Sequence, residues 1–252
     1  MKRTFAIAGI ILTAFAEIYG AMVLVPAGNL ILPFRRDSVE IRIPVHAYFL
    51  DTYPISQLDY RDFLITHPPY QKNYIPRLFA DKGYLKSWND GLIPGMNPEQ
   101  FPVTDISWYA AKEYCACQGK RLPTTAEWEW AAATTSPSKD SLQAFILGWY
   151  AKPYSQTMAK IGTGTHHENG LQDLFGVVWE WTSDFGAFGF SGLTNRGVED
   201  SSTFCGAGST KANANSNYAT TMRWAFRLSL KPDYTLGSLG FRCAKDSLGG
   251  KK

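Results

Sequence analysis

The chain has 252 residues, which is enough for one large domain or two small ones. Hydrophobic residues make up 45% of it and aromatic residues 14%, so a sizeable core can form. The net charge of +3 is small and dispersed, which excludes nucleic acid as an expected partner.

The N-terminus has the pattern of a secretory signal peptide. Lys2 and Arg3 precede an apolar run from Phe5 to Ala16, and small residues follow at possible cleavage points. Glu17 interrupts the run, which is therefore short for a membrane span. We predict a signal peptide over residues 1–21 and a periplasmic or secreted protein, with an uncleaved anchor as the alternative. No later apolar run approaches spanning length, so no transmembrane domain is expected in the mature chain.

The first predicted elements are a strand and a helix. Residues 39–45 alternate apolar and polar, which predicts a half-buried strand that continues over residues 47–50, with Pro44 favouring a sheet edge. Ser56 is a typical helix N-cap, and Asp59 suits the positive N-terminal end of the helix that follows.

Two more helices are predicted further along. One begins after Ser107 and ends at Gly119, and the next begins at the capping box formed by Thr124 and Glu127. Beyond residue 134 the helical signal fades, and short strands and long turns are expected. The fold class is therefore α+β, as a single domain over residues 22–246, followed by a flexible tail over residues 247–252.

Several segments, in order, carry a resemblance to one family. They are the opening 22–28, the block 101–115 that includes Phe-Pro-Val-Thr-Asp-Ile-Ser-Trp, the block 119–130 with Gly-Lys-Arg-Leu-Pro-Thr, the block 170–184 with Val-Trp-Glu-Trp-Thr-Ser-Asp, and the closing Gly-Phe-Arg-Cys at 240–243. The pattern is similar to that of the formylglycine-generating enzymes, or sulfatase-modifying factors. The resemblance implies an irregular, loop-rich fold that is distantly like that of C-type lectins.

The resemblance implies a disulfide and a metal loop. The resemblance implies a disulfide between Cys115 and Cys243. It also implies a calcium site whose ligands are the side chains of Asp173 and Glu180 and the backbone carbonyls of Gly176 and Val178. A hard cation prefers such oxygen ligands. Val177 departs from the asparagine that is usual in the family.

The copper-binding cysteine pair of the catalytic family members is missing. Counting back from Arg227, which aligns with a family arginine, places Ala214 and Ala219 at the two cysteine positions. No cysteine lies anywhere from Gly206 to Arg242. Because paired thiolates are what suits Cu(I), oxidation of a substrate cysteine by the copper mechanism of the family is not expected.

Candidate functional residues lie near the expected substrate groove. Cys205 is either a reactive thiol or soft-metal ligand, or it is a structural cysteine that can pair with Cys117. Ser209 is a second candidate, although no histidine follows it that would serve as its base. Four further residues either line the groove or belong to core and surface: Tyr218, Arg223, Trp224 and Arg227.

The resemblance extends to a subgroup of exported proteins that accompany copper nitrite reductases. It implies an accessory or maturation role for a periplasmic copper enzyme or copper chaperone, with a protein as the partner. The alternatives are a periplasmic oxidase similar to the pyoverdine-maturation member and a lectin-like ligand-binding module. Whether the protein is a catalyst, and whether it uses copper or iron, stays open at this point.

Overall fold

A computed structural model describes residues 21–36, 39–89, 91–95, 97–134, 139–152, 158–185 and 218–247. The strands within these ranges are β1 Met22–Val25, β2 Gly28–Arg36, β3 Val39–Val45, β4 Tyr48–Asp51, β5 Trp179–Glu180, β6 Leu239–Gly240 and β7 Ala244–Asp246. The helices are α1 Gln57–Thr66, α2 Trp108–Cys117, α3 Thr125–Thr134, α4 Lys139–Tyr150 and α5 Tyr218–Ser229.

The described strands form small, separate sheets, as expected for an irregular α+β fold. β4 is the centre of an antiparallel sheet in the order β1-β4-β7, so the first and last strands lie on either side of it. β2 and β3 form an antiparallel hairpin, and β5 pairs with β6 in parallel. The strand predicted over residues 39–45 is confirmed as β3. Its predicted continuation is wrong, because residues 48–51 form β4 in a different sheet.

The predicted helix starts are confirmed at atomic detail. The Ser56 hydroxyl accepts from the Asp59 backbone N–H while the Asp59 carboxylate accepts from Ser56, which completes a capping box at α1. The Ser107 hydroxyl accepts from the Ala110 N–H at the start of α2. At α3, the Glu127 N–H donates to the Thr124 hydroxyl and the Thr124 N–H donates to Glu127 Oε2 at 2.7 Å.

The prediction that helices end near residue 134 is wrong. α4 and α5 both lie beyond that point. Two threonines stand near the start of α5, and β-branched residues have low intrinsic helix propensity, so local sequence signals this helix weakly. None of the described helices is long and apolar enough to cross a membrane.

The core has two clusters of buried side chains. One contains Tyr60, Tyr114, Phe241 and the Cys115–Cys243 disulfide, and the other contains the side chains that α3, α5 and β4 bury. The disulfide predicted from the family resemblance is thus present, and it joins α2 to the residue before β7. Trp128 of the second cluster donates its indole N–H to Glu180 at 2.7 Å. Glu180 directly precedes Trp181, which belongs to the first cluster.

Candidate functional site

Helix α5 presents two chemically different faces. Tyr218, Met222 and Phe226 lie four residues apart, and residues at this spacing share one face of a helix. Tyr218 is 53% exposed, Met222 is 42% exposed and Phe226 is half-buried. The opposite face is buried and carries Ala219, Arg223, Trp224 and Arg227. We call the first face, defined by Tyr218, Met222 and Phe226, the apolar stripe.

A buried ion network fixes the inner face of α5 against α3. Arg223 donates from Nε and Nη2 to the two oxygens of Glu129 at 2.9 and 2.7 Å, and Arg227 donates from Nη1 to Oε1 at 2.6 Å. Burial alone would raise the pKa of Glu129, but the two guanidinium groups hold this pKa below its usual value. The network is therefore ionised at neutral pH, and it sets the orientation of the apolar stripe.

The two arginines of this network also stack on aromatic rings. The Arg223 guanidinium lies 4.9 Å from the ring centre of Phe175, and that of Arg227 lies 4.6 Å from Trp128. Cations favour the negative face of an aromatic ring, particularly where water is excluded. These contacts leave both guanidinium groups inside the fold rather than at a groove.

An aromatic cluster continues the apolar stripe beyond α5. The ring of Trp179 lies 4.4 Å from Phe226, 4.7 Å from Tyr150 and 5.6 Å from Trp149, measured between ring centres. All four rings are only partly buried. Half-exposed aromatic side chains provide large contact area at low entropic cost, which is why they are enriched at binding surfaces. We name Trp149, Tyr150, Trp179 and Phe226 the aromatic cluster.

The expected calcium loop contains a carboxylate that is already satisfied. Glu180 accepts from Arg242 Nε and Nη2 at 2.8–3.0 Å and from the Trp128 indole, and the Glu180 and Arg242 side chains are both fully buried. A calcium ion bound by Glu180 would lie next to this guanidinium. The Glu180 carboxylate would have to serve both the guanidinium and the ion, and the calcium loop stays a prediction. No group of three or more acidic, His or Cys side chains suited to a metal exists among the described residues.

The other calcium candidates have structural roles here. Asp173 has a positive φ of 59°, and its carboxylate accepts from the backbone N–H groups of Gly162 and Gly164 at 2.5 and 2.8 Å. Burial raises the pKa of Asp173, and these two hydrogen bonds offset part of the rise. Gly176 has a φ of +99° and packs against Phe145, while Val178 is buried. The loop is organised by hydrogen bonds of the protein itself.

A thiol and an imidazole meet on the other side of the molecule. Cys117 is a free, exposed cysteine, and its sulfur lies 3.2 Å from His67 Nε2 and 3.6 Å from Glu113 Oε1. Partial loss of water around the sulfur and the nearby Glu113 carboxylate raise the pKa of the Cys117 thiol, although the residue is exposed. A raised pKa disfavours the free thiolate.

The site residues predicted from the sequence lie in different environments. Cys205, Ser209 and Ala214 lie outside the described residues. Of the predicted groove residues, Tyr218 is exposed, whereas Arg223, Trp224 and Arg227 are at most 5% exposed. The burial of these three residues agrees with the alternative that they belong to the core, and not with a role in lining a groove.

Sequence reasoning missed Glu129 and the aromatic cluster. A signal for Glu129 was present, because α3 carries this carboxylate among Trp and Ala residues, and a buried carboxylate requires a cation. No signal in the sequence brings Trp149, Trp179 and Phe226 together, since they come from separate segments of the chain.

The disulfide that the family resemblance implies, Cys115 with Cys243, is present in the structure. The family model described as "Sulfatase-modifying factor enzyme 1-like domain" matches residues 12–247, and the chain belongs to this family. It is 26% identical to "Inactive C-alpha-formylglycine-generating enzyme 2" of Mus musculus over 90% of this chain and 86% of that protein. It is 31% identical to "Formylglycine-generating enzyme" of Mus musculus, over 58% of this chain but only 45% of that enzyme. Among solved structures, PvdO from Pseudomonas aeruginosa is 14% identical with a TM-score of 0.46, over 90% of this chain and 94% of PvdO.

Proposed function

We propose that this protein is a binding and maturation module rather than a formylglycine-generating oxidase. The observation that carries the proposal is the absence of any cysteine from Gly206 to Arg242. The equivalent of the second copper cysteine is Ala219, which is 2% exposed on the inner face of α5. A methyl group provides no ligand for copper. The similarity to an inactive relative supports the same conclusion.

The surface proposed to bind the partner is the apolar stripe together with the aromatic cluster. Tyr218 and Met222 expose large apolar area, which has a cost in water unless another surface covers it. The occupant that fits is an apolar segment of another protein, because methionine and aromatic side chains adapt to such segments. We infer that this partner is an exported copper enzyme or its copper chaperone, and that this protein assists its maturation.

The substitution Met222→Asp tests whether the apolar stripe binds the partner. In the natural host, deletion of this protein should lower the copper content and activity of the exported copper enzymes, and the wild-type chain should restore both. Met222→Asp should restore at most a tenth of the copper content, because a charge on the stripe opposes burial of an apolar partner segment. The measurement is copper per enzyme in purified periplasmic fractions.

The matched control is Leu78→Asp, at an apolar residue that is 74% exposed and lies outside the stripe. This variant should restore copper content like the wild type. Unchanged copper content after deletion would refute the accessory role. Conversion of a sulfatase-type cysteine peptide to its aldehyde by the purified protein would refute the statement that it is not such an oxidase.

Export is the second part of the proposal. A disulfide between Cys115 and Cys243 persists in an oxidising compartment, and this agrees with the signal-peptide pattern of residues 1–21. We expect the chain recovered from the periplasm to lack the N-terminal apolar run. Intact-mass measurement reports this directly, and a recovered chain that retains Lys2 and Arg3 would instead indicate an uncleaved anchor.

A further inference from the structure

The strongest unassigned feature is the pair formed by Cys117 and His67. His67 is the C-cap of α1 and Cys117 is the last residue of α2. Both helices are anchored, because α1 buries Tyr60, Phe63 and Leu64, and α2 carries the bridged Cys115 two residues before Cys117. The positions from which the two side chains extend are therefore fixed by the fold.

The imidazole is oriented as a metal ligand. His67 Nδ1 lies 2.9 Å from the Thr66 hydroxyl and 3.1 Å from the carbonyl oxygen of Phe63. A carbonyl can only accept and a hydroxyl can accept as well, so a ring proton on Nδ1 satisfies both contacts. The ring also stacks on Phe63, with centres 4.5 Å apart. With the proton on Nδ1, the lone pair of Nε2 faces the Cys117 sulfur. A backbone carbonyl that fixes the far ring nitrogen is the usual support for a metal-binding histidine.

The separation of the two ligand atoms suits a shared ion. With metal–sulfur and metal–nitrogen distances of about 2.3 and 2.0 Å, the two ligand atoms lie about 3.5 Å apart in a tetrahedral site and about 4.3 Å apart in the linear arrangement of a two-ligand site. The observed separation between Cys117 Sγ and His67 Nε2 is 3.2 Å, so the exposed thiol has to rotate about 1 Å away from the imidazole to admit an ion held by these two ligands alone. Glu113 lies one helical turn before Cys117 and adds a negative charge that favours a cation.

We propose that Cys117 and His67 bind one Cu(I) ion in an open, two-ligand site. A thiolate sulfur and an imidazole nitrogen are ligands that soft Cu(I) accepts, and Cu(I) tolerates low coordination better than Zn²⁺ does. Binding replaces the thiol proton with the metal, so one proton leaves as the Cu–S bond forms and no electron is transferred. A cavity of about 350 Å³ adjoins the pair and gives an incoming ligand access to the ion.

The test uses Cys205→Ser protein, in which Cys117 is the only thiol because Cys115 and Cys243 are bridged. Cu(I) is titrated anaerobically against a chromophoric Cu(I) chelator. We expect the Cys205→Ser protein to bind one equivalent of Cu(I) in competition with the chelator. The same protein with the further substitution Cys117→Ser should not compete, and with the further substitution His67→Gln it should bind at least tenfold more weakly. His46→Gln is the matched control, at an exposed histidine outside the site, and should leave the affinity unchanged.

Three results of the titration would overturn the site. They are the absence of Cu(I) binding to the Cys205→Ser protein, retention of stoichiometric binding without Cys117, and tighter binding of Zn²⁺ than of Cu(I) under the same conditions. A Cys117–Cys205 disulfide in the wild-type protein, seen by peptide mapping, would also exclude the site from the mature molecule. The titration needs no partner protein, so its failure is separate from failure of the proposed maturation role.

Discussion

Replacing Cys115 and Cys243 together with alanine should lower the free energy of unfolding by about 5 kcal/mol. The bridge closes a loop with a sequence separation of 128 residues, and on the chain-entropy model a loop of this length gives about that much stabilisation. Both cysteines are fully buried, so their loss also weakens packing between α2 and the strand β7 that follows Cys243. Chemical denaturation of the two proteins at neutral pH measures the difference.

The control for this experiment is the Cys117→Ser protein, which retains the bridge. Its stability should stay within about 0.5 kcal/mol of the wild type, the usual range for a surface substitution such as that at Cys117. A loss below about 1 kcal/mol in the alanine double variant would show that the bridge contributes little. A wild-type protein whose melting does not respond to reductant would lead to the same conclusion.

Local chemistry made the first half of the fold predictable. Ser56, Ser107 and Thr124 each precede a helix, and each has a backbone N–H within reach of its hydroxyl. Such caps act within a few residues and can be recognised without knowledge of the fold. The helices α1, α2 and α3 therefore began where the sequence predicted.

The later helices depend on contacts between distant segments. The sequence of α5 has little intrinsic helix preference, but its inner arginines are held by Glu129, which lies 94 and 98 residues earlier in the chain. Tertiary contacts routinely override weak propensity. A window of local sequence contains only one partner of each such contact, so α5 was missed.

The same dependence explains the outcome for the candidate site. Tyr218, Arg223, Trp224 and Arg227 are close in sequence, but the helix they share separates them by face: Tyr218 is exposed and the other three are buried. The sequence of α5 has a clear helical period, but such a pattern assigns charged residues to solvent, whereas the structure buries Arg223 and Arg227. The apolar stripe therefore consists of residues that are four apart in sequence. The arginines lie on the buried face of the same helix and hold it against α3.

Replacing Glu129 with glutamine should be the most damaging single change in this support. It leaves the guanidinium groups of Arg223 and Arg227 buried side by side, without the carboxylate that both contact at 2.6–2.9 Å. Removal of one member of a buried ion pair typically costs about 3–5 kcal/mol of unfolding free energy. Urea denaturation measures the loss, and Glu40→Gln, at an exposed pair with Arg42, should cost less than about 1 kcal/mol.

The loss should depend on pH in one direction. Burial raises the pKa of Glu129, but Arg223 and Arg227 lower it further, so the net folded value lies below that of an unfolded glutamate. A depressed carboxylate pKa contributes stability that is complete above the unfolded pKa, about 4.3, and disappears as the pH falls through the folded value. The difference between wild type and Glu129→Gln should stay constant near neutral pH and decrease below about pH 4.

The same variant links stability to the proposed partner face. With Glu129 neutral, the inner face of α5 loses the contacts that hold it to α3, and local opening of the helix becomes easier. Amide hydrogen exchange across Tyr218–Ser229 should therefore accelerate more than exchange across α1, which Glu129 does not contact. Equal acceleration in both helices would mean that Glu129 stabilises the fold as a whole and does not specifically support the apolar stripe.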